Sequence, residues 1–183
     1  NVIALCYTSP PDAARLLSHL STYVRFIFEN GRTENEISIR QEVDMIDSYL
    51  AIEQTRFRDS FYVEKKIDES LLDCSIPPLL IQPLVENAVR HGLYRHPGQK
   101  RLTLSIQERN GMIEIYVQDT GSGFDPNVSN KTSGIGICNI KSRIEHLHGA
   151  TFDLASTLKK GTTIHLRLPK QERTNHLDAY DFN

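Results

Sequence analysis

The chain has 183 residues, of which 39% are hydrophobic and 24% are charged, with a formal net charge of -2. This composition is sufficient for a folded core, and a near-neutral balance with no basic stripe gives no electrostatic reason to bind nucleic acid or anionic lipid. The three cysteines, Cys6, Cys74 and Cys138, lack CxxC spacing. They encode neither a disulfide framework nor a zinc site, and a reducing compartment fits best.

The amino-terminal stretch starts as if a helix had been cut. No apolar run reaches the roughly 18 residues needed to cross a bilayer, and no leader pattern is present. The chain starts at Asn1 rather than Met, and its apolar stretch up to Cys6 begins abruptly. We therefore expect a cytoplasmic fragment of a longer protein that is anchored in the cell membrane only by segments before Asn1.

Helical periodicity covers the first third of the chain. Apolar residues recur at three- and four-residue steps from Leu16 to Phe28, and Gly31 follows as a stop. Ser38 can cap a second helix with heptad-like apolar spacing up to Phe57. These helices either pack on the domain that follows or complete a bundle with a second copy of the chain. We expect a helical segment over 1–57, and the spacing favours a homodimer through it.

The pattern beyond Arg58 is that of a mixed domain. Short alternating runs predict five strands, at 61–67, 102–108, 112–118, 150–156 and 162–168. Helical patterns lie at 78–92 and 135–148, and the Asn-Gly pair at 110–111 suits a tight antiparallel hairpin. This order predicts an α+β fold, with a mixed, largely antiparallel sheet and helices on one face. The domain is expected over 58–170, with a polar tail at 171–183.

The helical run IQPLVENAVRHG at 81–92 combines a core face with a polar arc. Asn87, Arg90 and His91 cluster beside the apolar positions. The amide oxygen of Asn87 is a neutral ligand suited to magnesium beside phosphates, which Arg90 could clamp. Glu86 could polarise a nucleophile or water. Any amphipathic helix with a solvated side shows a similar pattern, so this interpretation depends on a partner motif.

The partner motif begins where the strand MIEIYVQD ends. Alternation places the carboxylate of Asp119 on the apolar face, where it needs a donor such as an adenine amino group. Gly121 and Gly123 allow the backbone to approach a flat ring. Thr162 and Thr163 at the start of the last strand could support Asp119. The alternatives are an ordinary strand-ending Asp in a glycine turn and an edge-strand threonine pair.

A polar loop and a second glycine motif complete the pattern. The loop 122–133, which contains Lys131, is long enough to move over a nucleotide, and we interpret it as a short lid. The next helix opens with Gly134, Ile135, Gly136 and Ile137. Unpaired backbone amides at the start of a helix can bind phosphate oxygens. The alternative is that the glycines serve only a tight turn into the helix. The spacing of a dinucleotide fingerprint is missing.

The order of IPPLLIQPLVENAVRHG, DTGSGF, SGIGICNIKSRI and KKGTTIHLRLP resembles the nucleotide-binding domain of LytS-like sensor histidine kinases, within the gyrase, Hsp90, histidine kinase and MutL superfamily. LSTYVRFIFE and QEVDMIDSYLAIEQTRF are similar to the helical region before that domain. The resemblance implies a Bergerat-type α/β sandwich that uses ATP and Mg²⁺. It implies that Asn87 holds magnesium and that Arg90 and His91 lie near phosphate or ribose. Asp119 would bind adenine, with Gly121 and Gly123 behind it. Gly134 and Gly136 would meet the phosphates.

The resemblance also implies a function, the catalytic part of a two-component sensor kinase. Such a kinase transfers the γ-phosphate of ATP to its own histidine and then to an aspartate of a response regulator. In this family the acceptor lies in a motif ending in HFLFN. The start NVIALC is similar to the residues directly after that histidine, so the acceptor is expected before Asn1. Catalytic roles fall to Glu86, Asn87 and Arg90.

Two other functions compete with this one. The first is a nucleotide-gated dimerisation module that transfers no phosphate. The second is an ATPase of the same superfamily. The hydrolysing branches carry an acidic residue one helical turn before the magnesium asparagine, and this chain has Pro83 there. Efficient hydrolysis is therefore not expected.

Overall fold

The structure is a computed structural model, and it describes residues 2–30, 36–57, 60–93, 99–125 and 135–171. The predicted site residues Lys131 and Gly134 lie outside these ranges, as does the stop predicted at Gly31. Within these ranges, no helix combines the length and the apolar character that a membrane crossing requires.

Three helices form the amino-terminal segment: α1 (Val2–Thr8), α2 (Pro10–Asn30) and α3 (Ile39–Phe57). Helix α2 packs against both of the others. The start of α3 is closed by a reciprocal cap, in which Ser38 Oγ accepts from the Gln41 amide at 3.2 Å and Gln41 Oε1 accepts from the Ser38 amide at 3.0 Å. The predicted cap at Ser38 is thus confirmed.

The main sheet has five strands: β2 (Phe61–Ile67), β4 (Lys100–Arg109), β5 (Met112–Asp119), β6 (Thr151–Thr157) and β7 (Gly161–Pro169). Their order across the sheet is β2-β4-β5-β7-β6, and β2 and β4 are its only parallel pair. Two further short strands, β1 (Ile37–Ser38) and β3 (Ser75–Ile76), pair with each other. The predicted mixed, largely antiparallel sheet is confirmed. Asn110 and Gly111 both have positive φ, at 53° and 73°, as the predicted hairpin turn requires.

The helices that pack on the sheet are α4 (Gln82–Asn87), which continues into a π-helical turn (Ala88–Leu93), and α5 (Ile135–Glu145). A short 3₁₀ turn occupies Glu69–Leu71. The predicted helix start at residue 78 is wrong, because Leu79 has a left-handed φ of 55° and the α-helix begins only at Gln82. The residues from 77 to 81 form an irregular link instead.

One continuous core joins the helices to one face of the sheet. Alternate residues of β4, β5 and β7 are buried on that face, as the period of two requires. They meet Leu84, Val85 and Val89 from α4 and its π-helical turn. Helix α3 also contributes Ile39 and Ile46, so it packs on the sheet domain rather than standing apart. The fold is the predicted α/β sandwich.

Candidate functional site

A cavity of about 240 Å³ lies between α4, its π-helical turn and the ends of β5 and β7. Its apolar walls come from Leu84, Ala88, Val117, Phe124, Ile137 and Ile164. Polar groups reach it from Asn87, His91, Asp119, Ser122 and Thr162. Apolar walls with a few converging polar groups suit a flat heteroaromatic ligand that carries a polar extension.

Asp119 is the buried charge of this cavity. It ends β5, only 4% of it is exposed, and its Oδ1 accepts a hydrogen bond from the Gly121 amide at 2.7 Å. A carboxylate in an apolar wall needs hydrogen-bond donors, and a ligand with an amino group can supply one. The strand alternation that predicted an inward carboxylate is confirmed.

Two glycines let the turn after β5 cross the π-helical turn at contact distance. A Cβ atom on Gly121 would lie 2.2 Å from the carbonyl carbon and oxygen of Gly92. A Cβ atom on Gly92 would lie 2.5 Å from Asp119 Oδ1. The Ser122 amide also donates to Gly92 O at 3.0 Å, and Ser122 Oγ donates to His91 O at 3.1 Å. The site therefore depends on Gly92 and Ser122. Both lie in the motifs singled out above, but neither was predicted as a site residue, because their contact is not local.

The same turn is also joined to the β6–β7 hairpin. Gly123 has a φ of 53°, and a Cβ atom on it would lie 2.0 Å from Thr157 O. The Phe124 amide donates to Ser156 Oγ at 2.9 Å, and that hydroxyl is 3.0 Å from Thr162 Oγ1. Backbone conformation and close approach both require glycine at position 123.

Asn87 presents its amide to the cavity in a fixed orientation. Its Nδ2 donates to Pro83 O at 2.8 Å, one helical turn back. This bond occupies the amide nitrogen on the helix side and leaves Oδ1 as the acceptor for a ligand or an ion. His91 also lines the cavity, and it is exposed at the rim.

Glu86 points toward α2 and not into the cavity that Asn87 lines. Its carboxylate accepts hydrogen bonds from the Tyr23 hydroxyl of α2 and from Gln82 Nε2. Gln82 Nε2 also donates to the Tyr23 hydroxyl at 2.8 Å. Burial, and then the adjacent Glu86 carboxylate, raise the pKa of Tyr23. Glu86 thus joins the amino-terminal helices to α4 and does not line the cavity.

The structure brings most of the predicted binding residues together. Those that line the cavity are Asn87, His91, Asp119, Gly123, Ile137 and Thr162, with Gly121 just behind Asp119. Arg90 is exposed and does not line it. Thr163 lies on the other face of β7, because it alternates with Thr162. Ile135 and Gly136 form the start of α5.

Comparison with known proteins agrees with this architecture. A family model for histidine kinase-, DNA gyrase B- and HSP90-like ATPases matches residues 78–172, and a histidine kinase model matches residues 1–61. The chain belongs to the histidine kinase-, DNA gyrase B- and HSP90-like ATPase family. The predicted membership is confirmed.

Full-length relatives extend well beyond this chain. Sensor histidine kinase YpdA of Escherichia coli is 39% identical in an alignment 179 residues long, which covers 93% of this chain and 31% of YpdA. Sensor protein LytS of Bacillus cereus is 31% identical in an alignment 182 residues long, which covers 93% of this chain and 31% of LytS. The chain therefore spans about a third of the length of these two relatives.

Solved structures share the fold at low identity. The histidine kinase domain of the Erythrobacter litoralis EL346 blue-light activated histidine kinase aligns with a TM-score of 0.58 and 16% identity, covering 91% of this chain and 79% of that one. The mycobacterial sensor histidine kinase MprB aligns with a TM-score of 0.54 and 18% identity, covering 76% of this chain and 99% of that one. At these identities the similarity establishes the fold alone.

Proposed function

We propose that this chain is the catalytic, ATP-binding part of a two-component sensor histidine kinase. It would transfer the γ-phosphate of ATP to a histidine, which the family resemblance puts before Asn1, and then to an aspartate of a response regulator. The observation that carries the proposal is the opening of Asn87 and Asp119 onto one cavity. An amide and a carboxylate on one apolar cavity can bind the two ends of one nucleotide.

Asp119 would accept the adenine amino group, with the glycine turn behind it. Asn87 would supply an oxygen ligand to magnesium. No group of three or more His, Cys, Asp or Glu side chains within the described ranges could hold a metal ion. A single amide is a weak magnesium site, so the ion would arrive with the nucleotide phosphates as its main ligands.

The remaining assignments rest on the family resemblance. Arg90 and His91 would meet phosphate or ribose, and Gly134 and Gly136 would meet the phosphates. Lys131 is added from the sequence pattern of the polar loop and would also bind the nucleotide. Imidazole is already a nucleophile at neutral pH, so transfer to histidine needs positioning and charge stabilisation more than a strong base. Glu86 would assist phosphate transfer only after its hydrogen bond to Tyr23 is broken, because it does not line the cavity. Pro83 in place of an acidic residue supports kinase activity over ATP hydrolysis.

The binding half of the proposal is tested by titration with a fluorescent adenine nucleotide, with and without Mg²⁺. Asn87→Ala should lower the magnesium-dependent affinity by about tenfold or more, the factor that corresponds to about 1.4 kcal/mol. Asn139→Ala, at an exposed position of α5, is the matched control. Asp119→Asn should weaken binding with or without magnesium, whereas Asp153→Asn on exposed β6 should not. Unchanged binding by both site variants would refute the site.

The transfer half needs the chain extended by its upstream sequence. Incubation with ATP labelled at the γ-phosphate should produce an acid-labile phosphohistidine in the extended chain. Magnesium-dependent nucleotide binding without any phosphohistidine would instead identify a nucleotide-gated dimerisation module. Steady phosphate release without phosphohistidine would identify an ATPase.

A homodimer through the amino-terminal helices forms part of the proposal. Helix α2 exposes an apolar stripe of Leu17, Leu20, Val24 and Phe28, which lie within one arc of the helix. Phe28 is 81% exposed, and such a stripe on a helix surface is suited to burial against a partner. Sedimentation should show a dimer that Val24→Glu dissociates. A chain that remains monomeric at high concentration would contradict this.

A further inference from the structure

The link that leads into α4 lacks a cap of its own. Ile81 stands at the N-cap position and makes no side-chain hydrogen bond to the helix. Leu79 holds a left-handed φ of 55°, a conformation that is costly for a branched side chain and that persists only where surrounding groups impose it. Whatever holds this link also sets the start of the helix that carries Asn87.

Glu42 of α3 supplies the missing cap from a distant part of the chain. Its Oε1 accepts from the Leu80 amide at 2.7 Å, and its Oε2 accepts from the Ile81 amide at 2.6 Å. The side chain is completely buried. A carboxylate is favourable at a helix N-terminus because it meets unpaired amides and the positive end of the helix dipole.

Arg143 of α5 holds the same link from the other side. It donates through Nη2 to Pro78 O at 2.8 Å and through Nη1 to Leu79 O at 3.2 Å. The peptide group between Leu79 and Leu80 is therefore bound at its oxygen by Arg143 and at its nitrogen by Glu42. One peptide group is thus bound by two side chains from two different helices.

Capping a helix with a buried carboxylate costs desolvation free energy. Burial raises the pKa of Glu42 to about 7, while its bonds to the link amides and the Arg143 charge act in the opposite direction. An apolar packing arrangement would avoid this cost, because isolated buried charges generally destabilise a fold. The carboxylate form of Glu42 therefore depends on its bonds to the link and on the Arg143 charge.

We propose that Glu42 and Arg143 are positioning residues that clamp the Leu79–Leu80 peptide and thereby set Asn87 for magnesium and nucleotide. The inference rests on the proposed function and adds to it a connection from α3 to the site. Asn87 follows Ile81 by six residues, a helical distance of about 9 Å. The short α4 transmits a shift of its start directly to the Asn87 amide.

The clamp makes a selective prediction about ligand binding. Asp119 is held at the end of β5 and by the Gly121 amide, and the hydrogen bonds of Glu42 and Arg143 described above reach neither of these. Loss of the clamp should therefore affect the magnesium-dependent part of binding more than the part that adenine supplies. A general loss of structure would weaken both parts together.

The test is titration of the chain with a fluorescent ATP analogue in the presence and absence of Mg²⁺. The quantity to compare is the ratio of the two dissociation constants, the value without magnesium divided by the value with it. Glu42→Gln keeps the shape but loses the charge and one acceptor, and should reduce this ratio by about tenfold, in line with the effect of small misplacements in sites. Binding without magnesium should change less than about twofold. Glu53→Gln, another buried glutamate of α3, is the matched control.

A second pair of variants keeps the test valid if Glu42→Gln fails to fold. Arg143 is at an exposed position, so Arg143→Gln should fold and should reduce the magnesium ratio, while Arg143→Lys should restore part of it. A wild-type ratio that persists in folded Glu42→Gln or in Arg143→Gln would overturn the clamp. A wild-type chain that binds nucleotide with no magnesium dependence would overturn the proposed function, and the positioning role with it.

Discussion

The close contact between Gly121 and Gly92 lets us predict how much a substitution at Gly121 would lower the stability of the fold. Gly121 does not have a positive φ, so its requirement for glycine is one of space alone. In Gly121→Ala the new Cβ would lie 2.2 Å from the carbonyl carbon and oxygen of Gly92 and 2.4 Å from its Cα. These neighbours are backbone atoms, which cannot rotate away as the end of a side chain can.

Relief of this clash requires the glycine turn to move away from the π-helical turn by about 1.5 Å, the difference between the close approach and ordinary contact. That movement would break the bonds from Ser122 to Gly92 O and His91 O. Each is worth about 1 kcal/mol, and overpacking of this kind costs about 1–3 kcal/mol. We expect Gly121→Ala to lower the free energy of unfolding by about 3 kcal/mol or more.

Thermal unfolding followed by circular dichroism measures this effect. For a chain of this size, about 3 kcal/mol corresponds to a decrease in Tm of about 6–12 °C. Gly111→Ala is the control, because Gly111 has a φ of 73° and nothing within 4 Å of its added Cβ. It should cost only about 1 kcal/mol of backbone strain. If the two substitutions lower Tm equally, the close approach of Gly121 and Gly92 is not as described.

Three further outcomes are expected. Tyr23→Phe removes one donor to Glu86 and should cost about 1 kcal/mol of stability, measured by urea unfolding, while nucleotide affinity stays within about twofold because Glu86 faces away from the cavity. A tenfold loss of affinity would contradict that orientation. Gly123→Ala should lower Tm more than Gly111→Ala, because both glycines have a positive φ but only a Cβ atom on Gly123 would clash with Thr157 O. An equal decrease in Tm would contradict this clash. Burial raises the pKa of Glu42 from 4.5 to about 7, so the stability that protonation provides is complete below pH 4.5 and is lost as pH rises through 7. Between about pH 5 and pH 8 the wild-type free energy of unfolding should fall relative to Glu42→Gln by about 1–3 kcal/mol, and a rise would refute the shift.

Local rules explain why much of the fold was predictable. The Ser38 cap depends on residues three apart, the hairpin on the conformations of Asn110 and Gly111, and the inward carboxylate of Asp119 on strand alternation. Each of these depends on near neighbours in the chain. The predicted strand ranges consequently differ from the observed ones by at most two residues at an end.

The partners of the site were beyond such rules. The pattern of the 81–92 segment put Glu86 beside Asn87 in a possible catalytic role, but the structure turns its carboxylate toward Tyr23, which is 63 positions earlier. Helix α4 begins at Gln82 and not at the predicted residue 78, because Leu79 has a left-handed backbone conformation. No periodic pattern in the sequence predicts that Glu42 binds the backbone amides just before α4.

Patterns over a few residues specify most of the helices and strands, the apolar face of each and the polar residues at their ends, since these follow from backbone preferences and burial. The packing of distant elements then fixes which of those polar residues meet. Gly92 meets Gly121 and Glu42 meets the amides before α4 because distant elements pack on one core. Such contacts depend on the geometry of the packed layers, which no short stretch of the chain encodes.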